Sequence, residues 1–321
     1  MKVSTKRQDN ASILSRGGQK GFTLVEILIS LVCMLIVMGT IYQVYFQQDR
    51  LTRSEEGIIN MQLNARIGME RLTTLFGHAG FGSRDSFLDG QTMSGNDPDT
   101  GSVTIDSYLW DIQNKDTNSS DSDSVVVVYG YKQVTSVDGS FTENDFIECQ
   151  KDPSPQIEDS GGNFKNYLAI FPDVQGNFFY ECTQIESLAS YRERYTLISN
   201  IYHVKDDASV YMVAPVRVKV KDNVLYFQNF VYNNSIFWEI ADNIQKLHIQ
   251  YTEDGETWQD EPDNPNKVLG VQVWLLVKSD IRDIGFTDTR TYTLAGQTVG
   301  PYQDSYHRKL ARTLLWVHSA R

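Results

Sequence analysis

The sequence predicts an α+β fold: a long N-terminal α-helix whose first half spans a membrane, followed by an enlarged β-rich C-terminal body. Three observations predict it. From Phe22 to Phe46 the only charged side chain is Glu26. Beyond Phe46, apolar residues recur at helical spacing as far as about His78. From Ser124 onward, short runs rich in Val, Ile, Tyr and Phe are separated by polar and glycine-bearing turns, the punctuation expected of strands.

The apolar run comes first. At ~1.5 Å per residue it makes a helix of about 37 Å, ample for a hydrocarbon core of about 30 Å. It is too long for the ~7–15-residue apolar region of an ordinary signal peptide, and no small-x-small cleavage site closes it. Before it lies a leader, residues 1–21, carrying Lys2, Lys6, Arg7, Arg16 and Lys20 against Asp9. That basic leader favours retention on the cytoplasmic side, placing everything after Phe46 across the membrane. The whole chain carries a formal charge of −12, and loss of the +4 leader would leave −16. So acidic an exported body argues against nucleic-acid binding, which rests on neutralising phosphates. A carboxylate near the end of a lipid-facing helix costs on the order of 2.5–3.5 kcal/mol at worst, so Glu26 calls for a partner.

Residues 47–82 read as an amphipathic continuation of the helix. Leu51, Ile58, Met61, Ala65, Met69, Leu72 and Leu75 build one apolar face, with Arg50, Arg53, Glu55, Glu56, Arg66, Glu70 and Arg71 around it. Gly39, Gly57 and Gly68 each lower helix propensity by roughly 1 kcal/mol relative to Ala and mark candidate soft points. Gly77, Gly80 and Gly82 are expected to end the helix. Residues 83–124 turn to Asp, Ser, Asn, Gly and Thr, with one short apolar segment around Val103–Trp110, and read as an exposed insertion. Strands are then expected at Ser124–Tyr131, Tyr167–Phe171, Phe178–Cys182, Tyr195–Val204, Val210–Val220, Val224–Tyr232, Ile236–Ile240, Leu247–Thr252, Val268–Lys278 and Lys309–His318. Asp222-Asn223 is expected to turn a hairpin.

Gly21-Phe22-Thr23-Leu24-Val25-Glu26, preceded by Arg16 and Lys20 and followed by the apolar helix, resembles the N-terminus of type IV prepilins. The resemblance implies cleavage between Gly21 and Phe22 by a prepilin peptidase, then N-methylation of Phe22. It also implies that the Glu26 carboxylate pairs with the Phe22 ammonium of a neighbouring subunit. An α-amine with a pKa of ~7.7–8.0 is mostly protonated near neutrality, and docking satisfies both desolvated charges at once. The fold implied is pilin-like, the helix packing on a mainly antiparallel sheet. Ile240-Ala241-Asp242-Asn243-Ile244-Gln245-Lys246-Leu247-His248-Ile249-Gln250-Tyr251 before a Trp258 loop, Gly270-Val271-Gln272-Val273-Trp274-Leu275-Leu276-Val277, and the basic Arg308-Lys309 near the terminus resemble the PilW family of minor pilins. Minor pseudopilin J of type II secretion shares the layout with a shorter chain. The chain is much longer than a major pilin, and Gln43 stands where many of those carry a helix-bending proline.

What the resemblance implies about partners is other minor and major pilins, the prepilin peptidase, the inner-membrane assembly platform and membrane lipid, with no nucleic acid and no cofactor. Before assembly it implies a single pass through the inner membrane with the body periplasmic, and afterwards a place in a surface pilus. The bulk of the body favours a low-copy role at the tip, for which residues 83–124 offer a candidate adhesive surface. No catalytic signature competes with this. His78, His203, His248, His307 and His318 are scattered without metal-site spacing, and the chain has no Gly-x-Ser-x-Gly elbow, phosphate loop or dinucleotide fingerprint. Cys33 lies in the apolar helix. Cys149 and Cys182 are the candidate disulfide of the exported body, and the sequence leaves open whether their Cα atoms approach. Asp254, Glu256, Asp260 and Asp263 supply hard oxygen ligands of the kind calcium prefers, as does Asn96-Asp97-Pro98-Asp99. Neither cluster follows EF-hand spacing, and a solvated loop is the expected reading.

Overall fold

A computed structural model describes residues 22–97, 101–113, 122–141, 146–150, 157–158, 164–173, 179–189, 192–197, 201–229 and 237–317. The chain forms two compact units, Met1–Thr52 and Arg53–Arg321. Helix α1 (Leu24–Gly77) supplies the described part of the first unit and opens the second. In the first unit no described side chain of the apolar run is buried, from Phe22 at 82% exposed to Val32 at 46%.

In the second unit the same helix becomes one-sided. Met61, Ala65, Leu72, Leu75 and Phe76 are buried in a core shared with strands of two sheets. Gly57 and Gly68, expected to be soft points, are places of close approach instead. A Cβ on Gly57 would stand 3.1 Å from Ile281 Cβ, and one on Gly68 would stand 2.9 Å from Leu275 Cδ2. The helix is closed by i→i−3 hydrogen bonds from the His78 and Ala79 N–H groups to Leu75 and Phe76. Gly80 then takes φ +74°, a left-handed conformation open to glycine at little steric strain, and donates its N–H to Val128 O at 2.8 Å.

A short helix α2 (Arg84–Leu88) follows, then β1 (Met93–Asp97), β2 (Gly101–Ile105), β3 (Leu109–Gln113) and β4 (Ser124–Phe141). Next come β5 (Phe146–Gln150), β6 (Ile157–Glu158), β7 (Phe164–Asp173), β8 (Phe179–Ala189), β9 (Arg192–Leu197) and β10 (Ile201–Lys221). The remainder are β11 (Val224–Asn229), β12 (Phe237–Asp242), β13 (Ile244–Thr252), β14 (Gly270–Lys278), β15 (Tyr292–Leu294), β16 (Gln297–Val299) and β17 (Arg308–Trp316). The named strands pair antiparallel throughout. The large sheet runs β12-β11-β10-β7-β8-β9-β5, with β4 along the other edge of β10, β3 on β4 and β6 on β7. A three-stranded sheet, β13-β14-β17, completes the helix-facing core. The long apolar helix packs its later half on antiparallel sheets within a β-rich body, as the sequence predicts.

The four valines Val125–Val128 are fully buried in β4. Asp222 and Asn223 turn the β10–β11 hairpin at φ +52° and +62°, the left-handed pair that a two-residue hairpin requires. Tyr195–Val204 is not one strand but the end of β9 and the start of β10. The expectation that residues 83–124 form an exposed insertion is corrected. Phe87, Met93, Ile105, Tyr108 and Leu109 are all buried in the main core, because widely spaced apolar residues reach it from α2, from both arms of the β1–β2 hairpin and from the start of β3. Residues 114–121 of its most polar run lie outside the described residues.

Candidate processing and assembly site

The helix start is built by Thr23. Its N–H donates to Glu26 Oε2 at 2.9 Å, its hydroxyl donates to the same oxygen at 3.0 Å, and the Glu26 N–H donates back to Thr23 Oγ1 at 3.3 Å. This is a capping box, in which a Ser or Thr before the first turn and a Glu three residues later satisfy each other's backbone donors. The Thr-x-x-Glu spacing was legible in the sequence, and reading Glu26 only as half of an intersubunit pair missed it. Gly21 lies outside the described residues. Phe22 extends from the capped turn with its ring 82% exposed. Within one chain, then, Glu26 is held by Thr23 while Phe22 is presented outward.

From Leu24 the helix is long and apolar enough, by length and composition, to cross a membrane. Its surface is apolar on every side and buried on none. Such a helix finds its environment in lipid or among other helices of the same kind.

The other candidates fall in the body. Cys149 stands opposite Glu193 in the β5–β9 ladder, and Cys182 opposite Leu197 in the β8–β9 ladder. Strand β9 separates them, so two strand spacings, about 9.6 Å, and an offset along β9 lie between their backbones. The ladders as described do not bring the two together; their side chains lie outside the described residues.

In the acidic loop, Asp254 is turned onto the loop's own backbone. Asp254 Oδ1 accepts from the N–H groups of Glu256 and Thr257 and from the Thr252 hydroxyl, at 2.7–3.0 Å. Those donors, Thr257 first, hold its carboxyl well below the usual carboxylate range. Asp260 Oδ1 accepts from Gln250 Nε2 at 2.8 Å. Among the described residues no group of three His, Cys, Asp or Glu side chains could hold a metal ion, and Glu256 and Asp263 join no such group. Of Asn96-Asp97-Pro98-Asp99, the last two lie outside the described residues.

Three polar clusters escaped sequence reasoning because their members are distant in the chain. Asp283 Oδ2 accepts from the Ser54 hydroxyl at 2.9 Å and lies 3.0 Å from His307 Nε2. The His307 hydrogen bond leads in holding the Asp283 carboxyl below its ordinary value. Arg308, with 1% of its side chain exposed, pairs with Asp288 at 3.1 Å and Asp304 at 2.6 Å. Burial pushes the Asp288 carboxyl up, but hydrogen bonds from Tyr292, Arg290 and Arg308 outweigh it and hold the group low. His248 is buried with Asp123 Oδ2 2.8 Å from Nδ1 and Asp260 Oδ1 3.4 Å from Nε2. An open groove of about 410 Å³ between α1 and β17, with Met69 and Ala311 in its wall and Arg66, Glu70 and Lys309 at its rim, contains no histidine or cysteine.

Residues 16–42 match the family model described as the prokaryotic N-terminal methylation motif. That span contains Gly21, Phe22 and Glu26 together with most of the apolar run. No curated protein matches the chain. Among solved structures, the chain is similar to a type IV-like pilin from Thermus thermophilus at 14% identity, covering 49% of this chain and 84% of that one. The TM-score is 0.26, at which the likeness carries no argument.

Proposed function

We propose that this chain is a minor pilin of a type IV pilus system in a Gram-negative bacterium. The observation that carries the reading is the methylation-motif match over residues 16–42, which centres on a capped helix start and runs into an exposed apolar helix. Prepilin peptidase cuts between Gly21 and Phe22 and methylates the new amine. The chain waits in the inner membrane with residues 47–321 periplasmic, then enters a filament with other pilins, where Glu26 meets the Phe22 ammonium of its neighbour. A body of this size is hard to repeat at every filament position, which favours the assembly-initiating complex at the tip, and the sequence of the body favours the PilW family. A secretion pseudopilus uses the same helix, and the identity of neighbouring genes separates the two.

Mass spectrometry of the N-terminus from native membranes tests the reading. N-methyl-Phe22 is the expected result. An intact leader in membranes with active prepilin peptidase overturns it in favour of a plain signal anchor.

A further inference from the structure

Of the large apolar side chains described in the second unit, Ile284 is the most exposed, at 75%. It stands at the tip of the segment between β14 and β15, and that segment follows α1 in a definite direction. Asp280 meets Asn60, whose Nδ2 donates to its Oδ2 at 3.3 Å. Ile281 lies against Gly57. Asp283 accepts from Ser54. The segment therefore descends the helix one turn at a time, from Asn60 to Gly57 to Ser54, toward the helix's N-terminal end. Ile284 is the next residue in that descent. Gly285 follows at φ +133° with open space where a Cβ would be, and Phe286 turns back to stack on His307 at 3.9 Å.

Ser54 follows Phe46, the last residue of the apolar run, by eight positions. Eight residues span about 12 Å as helix and at most ~28 Å fully extended. The chain between Phe46 and Ser54 is thus short enough for the exposed Ile284 to reach the membrane surface the apolar run would define. The aspartates of the segment itself are engaged, while Glu55 and Glu56 stand exposed beside Ser54. Asp280, Asp283 and Asp288 are engaged by Asn60, by Ser54 and His307, and by Arg290, Arg308 and Tyr292. Arg282 flanks the tip over the Tyr306 ring, and Arg290 leaves 53% of its side chain exposed. In a strongly acidic chain, the tip sets an aliphatic side chain beside Arg282, with the half-exposed Arg290, paired to Asp288, further along the segment, the chemistry of an interfacial contact with anionic lipid headgroups.

We infer that the 280–290 segment is a membrane-surface foot: before assembly, Ile284 enters the headgroup–acyl boundary of the bilayer that holds the apolar helix, with Arg282 and Arg290 on lipid phosphates. The inference rests on the membrane-anchored reading of residues 22–46. The foot would fix how the body stands on the bilayer while the chain awaits extraction.

The test uses the full chain in vesicles of phosphatidylethanolamine and phosphatidylglycerol, with the native cysteines replaced by serine and Ile284→Cys carrying an NBD label. Leu88→Cys, exposed and beyond the far end of α1, is the control. With doxyl groups at a shallow acyl position, emission from residue 284 should fall about twofold, as for a side chain ~5–10 Å into the boundary, and that from residue 88 should not change. Ile284→Asp should keep the urea midpoint of the body, which shows that the exposed side chain serves no packing role. Vesicle flotation separates two failures. A chain that floats with residue 284 no more quenched than residue 88 overturns the foot and leaves the anchor standing. A chain that does not float overturns the anchor and the foot together. Residue 284 shielded only after other pilin subunits are added identifies a protein partner and also overturns the lipid contact.

Discussion

Two stretches of one helix meet opposite fates. Between Leu24 and Phe46 apolar side chains point to every side and none is buried. Between Gly57 and Phe76 one stripe of them, Met61, Ala65, Leu72, Leu75 and Phe76, is sealed in the core of the body, while Ile59 and Leu63 stay exposed. The difference is one of periodicity as well as of hydrophobicity. A stripe matches a single sheet-built wall, while a helix apolar all round can be satisfied only by surroundings that are apolar all round. The first stretch thus specifies an environment and the second a fold.

The largest expected effect tests that division. Leu72→Ala should lower the stability of the body by about 2–5 kcal/mol, since Leu72 is fully buried and truncation leaves a cavity. Leu31→Ala, 56% exposed, should leave the urea midpoint of the body unmoved and weaken only retention in vesicles, by ~0.8 kcal/mol per lost methylene. Equal midpoint shifts in the two variants would break the comparison.

Acid should act on the body in the same selective way. Asp283, Asp288 and Asp304 all have carboxyls held below their ordinary value. Groups with depressed folded-state pKa values contribute stability that is full above the unfolded value of ~3.9 and disappears as pH falls through the folded values. The urea midpoint of the body should therefore be flat from neutrality to about pH 5 and fall below about pH 4. Asp288→Asn should lower the neutral-pH stability by about 1–3 kcal/mol, because a buried guanidinium loses one charged partner, and should flatten the acid limb. An unchanged acid limb in that variant would show that the Arg308 cluster contributes nothing to it.

What was legible in the sequence follows the same physical divide. The helix, its end at the glycines, the four-valine strand and the Asp222-Asn223 turn were readable because local spacing alone determines them. Burial of Phe87, Met93, Ile105 and Tyr108 was not readable, since their polar neighbours carry the composition and only the tertiary core reveals the exceptions. The Ser54–Asp283–His307 and Arg308–Asp288–Asp304 clusters were invisible because their parts meet only after β14 and β17 pair and the intervening chain folds back. At the candidate site, the motif around Gly21 and Phe22 was plain, while the capping role of Glu26 lay in a template that was not applied.

That double role leads to the smallest and sharpest prediction. Thr23→Val removes the side chain that caps the helix yet keeps the Glu26 carboxylate, and should cost about 1 kcal/mol at the helix start. Glu26→Val removes both the cap partner and the proposed mate of a neighbour's Phe22 ammonium. Both variants should be cleaved normally, as read from the mature N-terminus by mass spectrometry. They should differ in the sheared filament fraction, with Thr23→Val incorporated nearly as well as the parent and Glu26→Val largely excluded. A carboxylate released from Thr23 is, if anything, freer to meet another chain, so removing the cap alone should not weaken the intersubunit pair. If Thr23→Val is excluded as strongly as Glu26→Val, the carboxylate acts by shaping its own helix terminus, and pairing with a neighbouring amine is no longer needed to explain why an acid stands in the first turn of an apolar helix.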